Sequence, residues 1–244
     1  EVWSEDKEDQ VAYRGDSRYV ARLVPSSYQQ NKQQQLIQSK PFKLGISQRG
    51  SLDSLILEPV NRVSPKAGEI EIRVKATGLN FRDVLIALDI YPGEPIIGVD
   101  CAGEIVSVGV GVTGLNVGDL VIAMAAGSFS KYVTVDARYA IIKPENLSFE
   151  QAASIPVNFL TAYYTLHHVA KIATGDKVLI HAATGGTGMA AVHIAQAAGA
   201  EVFATASPSK WEALRKMGVK HIMNSRTLEF ADQTGSTFDH PITS

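Results

Sequence analysis

Cysteine is almost missing from this 244-residue chain: Cys101 is the only one. A single thiol excludes an internal disulfide and a four-cysteine structural zinc site, and in its apolar run Cys101 reads as a small buried residue. Long apolar runs are missing too, none reaching the roughly 18 to 20 residues that a bilayer-spanning helix needs. The opening "EVWSEDKEDQ" is acidic and polar, unlike a signal peptide, so the expected location is cytoplasmic, with no membrane partner. Charge of one sign is also lacking. A net charge of −2, without a basic block interleaved with aromatics, offers no field for a polyanion and excludes nucleic acid as a partner.

What is present is a globular composition, 45% hydrophobic and 20% charged, enough for one large core or two modest ones. The strand-like "RYVARLV" is followed by "SSYQQNKQQQ", and Ser26 to Gln35 is expected to be an exposed connector. From Phe42 to about Asp136, short strands alternate with turn residues: "EIEIRVKA" has period two, and "CAGEIVSVG", "VGDLVIAM" and "KYVTV" repeat the pattern. After Pro144 the period lengthens. The stretch "SFEQAASIPVNFLTAYYTLHHVAKI" carries apolar residues at helical spacing, so the chain switches to helices here, with Ser148 as a candidate N-cap and Glu150 and Gln151 in the first turn. Then strand "KVLIHAA", helix "GMAAVHIAQAAG", strand "EVFATA", helix "SKWEALRKMG" and strand "HIMN" alternate, which calls for a parallel sheet with crossover helices. The expected division is a lead-in over 1–41, a mostly β domain over 42–158, a nucleotide-binding domain over 159–234 and an unassigned tail over 235–244.

The turn between the first of those strands and its helix reads A-T-G-G-T-G from Ala183 to Gly188. The dinucleotide fingerprint G-x-G-x-x-G is met at Gly185 and Gly188, with Ala183 at its first position. The strand before it, the helix after it and the second strand supply the context that makes the pattern informative. Thr184, Gly185, Gly186, Gly188 and Met189 are therefore the expected pyrophosphate contacts, the helix N-terminus adding its N–H donors and dipole. An NAD site places an acid at the end of the second strand. This chain has "TASPSK" there, so nothing repels a 2′-phosphate, and Ser207, Lys210 and Arg226 supply a hydroxyl and two cations. NADPH is the expected cofactor.

A small β domain ahead of such a segment resembles the medium-chain dehydrogenase/reductase superfamily. Within it, "GLNFRDVLIALDIYPGE", "GVTGLNVGDLVIAM", "SIPVNFLTAYYTL", "HAATGGTGMAAVHIAQAAGAEVFATASPSKWEALRKMG" and "NSRTLEF" resemble the enoylreductase domains of modular polyketide synthases, in order and spacing, over roughly residues 42–232. The resemblance implies an α/β fold: a GroES-like β domain plus a Rossmann-type doubly wound sheet. It implies hydride transfer from NADPH to the β-carbon of an α,β-unsaturated thioester on an acyl carrier protein, with neighbouring synthase domains as further partners and a homodimer left open. It places Asn80 beside the nicotinamide and Thr161 among the cofactor contacts. Tyr91, the only hydroxyl-bearing aromatic in "DIYPGE", is the candidate proton donor. Zinc alcohol dehydrogenases of the superfamily carry a cysteine where Asn80 stands and a His-Glu pair where Val99 and Asp100 stand, so no catalytic metal is expected.

The chain departs from the family pattern near its end. From about Gly235, "GSTFDHPITS" does not read as the family's continuation, so three strands leave the expected nucleotide sheet incomplete, and the lysine and aspartate proposed there as proton donors have no counterpart. His167, His168, His181 and His193 form no metal spacing, and His181, at a strand's carboxyl end, is read as packing or as lining the nucleotide site. Two alternatives stay open: a free-standing NADPH-dependent quinone or enone reductase, and a non-catalytic module of a synthase.

Overall fold

The period-two run at Glu69 becomes the axis of the β domain. In the computed structural model, which describes residues 11–15, 17–20, 40–94 and 96–234, β5 (Glu69–Gly78) lies inside a five-stranded antiparallel sheet. Its neighbours are β6 (Asp100–Val108), β7 (Leu120–Met124), β8 (Tyr132–Asp136) and β9 (Ala140–Ile142), in the order β8-β5-β6-β7-β9. Alternation puts Ile70 and Ile72 on one face, where they join Cys101, Ile105, Val121 and Val133 in a closed core. Each such isoleucine contributes about 1.5–3 kcal/mol on full burial. The hairpin β3 (Phe42–Ile46) and β4 (Leu55–Pro59) is tied to this sheet by Leu44 N–H donating to Phe129 O at 2.7 Å and Lys131 N–H donating to Phe42 O at 2.8 Å.

Helix α1 (Phe81–Ala87) follows β5, and Asp83 Oδ2 accepts from Asn80 N–H at its start, 2.9 Å. Ser148 caps α2 (Phe149–Ala153) as the sequence predicts: its Oγ accepts from Gln151 N–H, and Gln151 Oε1 accepts from Ser148 N–H. The helical stretch from Ser148 onward is divided into separate segments. Helix α2 stops at Ala153, α3 (Pro156–Tyr163) starts afresh with proline at its first turn, and a π-helical turn covers Tyr164–Val169. Pro156 has no N–H to continue a helix but suits a first turn, which sets the break.

The βαβαβ series forms a three-stranded parallel sheet among the described residues, in the order β10 (Lys177–Ile180), β11 (Glu201–Ala206), β12 (His221–Asn224). Helix α4 (Gly186–Ala197) links the first two strands and α5 (Trp211–Lys216) the last two; α6 (Glu229–Thr234) follows. Alanine lets α4 lie close on the sheet: Ala190 and Ala195 are buried with Ala204 and Ala206 of β11. The α/β class, with a β domain beside a Rossmann-type sheet, is thereby shown.

Residues 1–36 form a separate unit, in which β1 (Val11–Arg14) pairs antiparallel with β2 (Ser17–Val20). The connector expected at Ser26 to Gln35 and the tail from Gly235 lie outside the described residues. No described helix is long and apolar enough to cross a membrane.

Candidate functional site

The glycine turn sits at the carboxyl end of β10 and opens α4, with Gly185 as its N-cap. One of its glycines is required by space and a second sits close against α3. A Cβ on Gly188 would lie 2.4 Å from Ala182 O and 2.8 Å from Ala183 Cα, so only glycine lets the first turn of α4 lie on the end of β10. A Cβ on Gly186 would lie 2.7 Å from Asn158 Oδ1, against α3. The left-handed residue of the turn is Ala182, with φ 48°, one position before the first place of the fingerprint, while Ala183 is fully buried beneath Gly188. Ala183 thus substitutes for glycine because its side chain goes inward, and the positive φ is taken by its neighbour. Gly185, Gly186 and Met189 are exposed, Thr184 half-buried, and the first turn of α4 has no acid.

Ser207, Lys210 and Arg226 gather at the carboxyl ends of adjacent strands. Ala206 and Asn224 are register partners in β11 and β12, and Ser225 N–H donates to Ala206 O at 3.1 Å, which sets Ser207 beside Ser225 and Arg226. Lys210 ends a 3-10 turn from Pro208 in which its N–H donates to Ser207 O at 2.9 Å. Trp211 Nε1–H donates to Ala206 O and holds that turn against the strand end. Lys210 and Arg226 are exposed, with no ion pair among the described residues.

Asn80 lies just past β5, as the N-cap residue of α1. Its Nδ2–H donates to Asp100 Oδ2 at 2.8 Å, and the other carboxylate oxygen, Oδ1, accepts from Val157 N–H in the first turn of α3 at 3.0 Å. Asp100 is 1% exposed. Burial pushes its carboxyl above the ordinary range, while the donors on Asn80 and Val157 pull it back down. Asn158, the next residue of α3, accepts from Thr187 Oγ1–H at 3.0 Å. Thr161 lies one turn further along the same helix and is exposed. Sequence reasoning missed Asp100 as the partner of Asn80 and missed Asn158 altogether. The only signals are the polar letters in "GVDCAGE" and "SIPVNFL", each set among apolar neighbours.

Tyr91 stands apart from this chain of contacts. It lies in the loop after α1, its ring 42% exposed, with the Arg82 guanidinium 5.9 Å from the ring centroid. Arg49 holds the loop by donating to Asp89 Oδ1 at 3.2 Å and to Gly93 O. Asn80, Val99 and Asp100 bring one carboxylate to the place where the superfamily's metal ligands stand, and that carboxylate is already bonded to the Asn80 amide. Among the described residues no three His, Cys, Asp or Glu side chains converge. His181 lies just past β10, its Nδ1 3.1 Å from Thr205 Oγ1 and its ring edge-on to Phe230; His193 stacks on Phe159 and His168 on Tyr164, while His167 packs at a tilt against Tyr163.

Comparison with known proteins agrees with this geometry. The alcohol dehydrogenase GroES-like domain matches residues 66–145. Phthioceranic/hydroxyphthioceranic acid synthase of Mycobacterium tuberculosis H37Rv is 42% identical over 236 residues, which is 93% of this chain and 11% of that synthase. The chain therefore spans a small fraction of the length of the curated relatives it matches. The crystal structure of the CurK enoyl reductase superposes with a TM-score of 0.78 at 48% identity, covering 81% of this chain and 64% of that one. The Escherichia coli quinone oxidoreductase, solved with NADPH, gives a TM-score of 0.72 at 31% identity, covering 80% and 62%. A β sheet of the GroES-like type, a glycine turn at the end of a parallel strand and these relatives make the chain similar to the enoyl reductase domains of polyketide synthases, within the medium-chain dehydrogenase/reductase superfamily.

Proposed function

We propose that the chain is an NADPH-dependent enoyl reductase module that acts on an α,β-unsaturated acyl thioester held on an acyl carrier protein. The observation that carries this reading is the acid-free carboxyl end of β11, where Ser207 and the exposed Lys210 follow β11 and the exposed Arg226 follows the paired β12, at the same end of the parallel sheet as the glycine turn. When bound, NADPH supplies a hydride from C4 of its nicotinamide.

In this reading residues 159–234 hold the cofactor and residues 42–158 face the substrate, with α3 running through the boundary as one helix. Thr184, Gly185, Gly186, Gly188 and Met189 present backbone at the pyrophosphate, at the positive end of α4. Ser207, Lys210 and Arg226 take the 2′-phosphate by charge-assisted contacts. Asn80 and Thr161 flank the nicotinamide end. With Asn80 and Val99 in place of metal ligands, enolate charge at the thioester is met by positioned hydrogen-bond donors, and the α-carbon takes its proton from Tyr91 or from water.

A second reading, a reductase of small diffusible quinones, draws on the likeness to the Escherichia coli quinone oxidoreductase. Offering the protein carrier-bound enoyl thioesters, pantetheine thioesters and free quinones, with NADPH deuterated at C4, separates the two. The expected product is a saturated carrier-bound thioester with deuterium at the β-carbon, formed far faster than quinone is reduced, because remote binding energy positions the reacting carbon. Faster turnover of quinones would overturn the assignment to carrier-bound substrates.

A further inference from the structure

The polar contacts of the site form a continuous path, and its middle member is a carboxylate that no catalytic role uses. Asn80 Nδ2–H donates to one oxygen of Asp100 and Val157 N–H to the other; the adjacent Asn158 accepts from Thr187 Oγ1–H, at the glycine turn. Four elements are involved: the N-cap of α1 just after β5, the start of β6, the first turn of α3 and the first turn of α4. Two features show that the path is built tightly. A Cβ on Gly186 would strike Asn158, so the helices are in near contact there. On the other side of the path, a Cβ on Gly78 would lie 2.6 Å from Ala153 O and 2.9 Å from Asp100 Cβ, so β5 has no freedom to slide past the carboxylate.

We propose that Asp100 is a positioning residue: its buried carboxylate clamps the Asn80 carboxamide to the first turn of α3, and so fixes Asn80 in register with the glycine turn that Asn158 contacts. The inference rests on the reading of Asn80 and the glycine turn as two ends of one cofactor site. A carboxylate suits the task because it is an acceptor at both oxygens, and both of its partners are N–H donors. It also dictates the sense of the amide: with Nδ2 bound to Asp100, Oδ1 of Asn80 turns the other way. The first turn of α3 gains in return a partner for a backbone N–H that no residue of its own helix can serve.

The pairing has a distinctive test. Asp100→Asn keeps shape but offers only one acceptor, so either an N–H group meets an N–H group at one of the two contacts or the Asn80 amide turns over and presents its other face to the site. Exchanging the partners, Asn80→Asp with Asp100→Asn, restores a donor opposite an acceptor at both. We would measure amide hydrogen exchange at residues 80–83 and 157–159, NADPH affinity, and kcat with KM for NADPH, in wild type and both variants. In Asp100→Asn, exchange is expected to rise at both segments together, and kcat at saturating NADPH to fall by about 10- to 100-fold while KM for NADPH stays within about threefold, as for a misaligned reacting group. The exchanged pair is expected to regain wild-type protection at both segments.

Loss of overall stability with kcat unchanged in the folded protein would make Asp100 a structural residue and overturn the proposal. So would a rise in exchange at one segment alone, or an exchanged pair that protects neither. A wild type that does not bind NADPH, with the two segments still loosening together in Asp100→Asn, would overturn the cofactor reading and leave the clamp standing.

Discussion

The two ends of the candidate cofactor site are built on opposite principles. At Asn80 and Asp100 a buried carboxylate has both oxygens already matched, by the half-buried Asn80 amide and by Val157 N–H. At Ser207, Lys210 and Arg226 the cations are exposed and no described residue neutralises them. A matched buried group rewards folding and resists change, since removing one partner leaves the other desolvated and unsatisfied. An unmatched exposed cation does little for the fold and keeps its charge for a ligand. Substitutions at the first end are therefore expected to cost stability, and those at the second to change ligand preference.

The glycine turn belongs to the matched end, and the largest effect is expected there. Gly188→Ala forces a methyl group to within 2.4 Å of a backbone oxygen that cannot swing away. We expect a loss of about 3 kcal/mol of stability, at the upper part of the range for overpacking. Gly185→Ala makes a useful control, because its Cβ would meet Ala182 O at 3.2 Å and the site is open to solvent. That variant should lose less than about 1 kcal/mol. Denaturant unfolding of both decides the matter; equal losses would show that the turn is required for chain direction and not for the close approach.

The exposed end gives the next effect. Lys210→Ala should weaken NADPH binding while leaving NADH nearly unchanged, since a charge-assisted contact to the 2′-phosphate contributes about 1.5–3 kcal/mol, roughly ten- to a hundredfold in affinity. Ser207→Asp should shift preference toward NADH by repelling the same phosphate. Neither variant should move the unfolding midpoint measurably. Titration with both cofactors checks this, and equal losses for NADPH and NADH in Lys210→Ala would remove the phosphate pocket from that strand end.

How much of this was legible in the sequence follows the same division. Strand β5 announces itself by period two, Ser148 by the cap it makes three residues on, and the nucleotide turn by glycines after a strand: each signal is local. The helices after Pro144 show in apolar spacing, which does not itself mark the boundary that Pro156 sets between α2 and α3. The positive φ at Ala182 was not readable, because the fingerprint directs attention to Ala183. The Asn80–Asp100 and Asn158–Thr187 contacts were hidden for a different reason. They join residues separated by 20 and 29 positions, and only the folded register of β5, β6, α3 and α4 brings them together. Exposed site residues could be placed from strand ends alone, whereas the matched ones needed the tertiary structure.

Cys101 sharpens the contrast from the buried side, with the smallest effect. It neighbours Asp100 in β6, is 0% exposed, and its thiol is pushed up to about 12, first by burial and then by the Asp100 charge. A raised pKa in the folded state means that the native protein keeps a proton that the unfolded chain releases from about pH 9 upward. Below that pH the thiol is protonated in both states, and its stabilising effect is fully present. As pH rises from about 9 toward 12, that stabilisation is lost at up to about 1.4 kcal/mol per pH unit. Unfolding of wild type and Cys101→Ala, compared at pH 8 and at pH 10, isolates the thiol from the lysines and tyrosines that titrate in the same range. The wild type should lose up to about 1.4 kcal/mol more than the variant over that interval, the unfolded thiol being already part-ionised at the start of it. In native protein at pH 8 the thiol should react with a disulfide reagent only as fast as the chain opens, because the thiolate is the nucleophile and the folded state withholds it. Rapid labelling of native protein, or identical pH dependence of the two proteins, would show that this part of β6 opens to water and that the buried end of the site is looser than its hydrogen bonds imply.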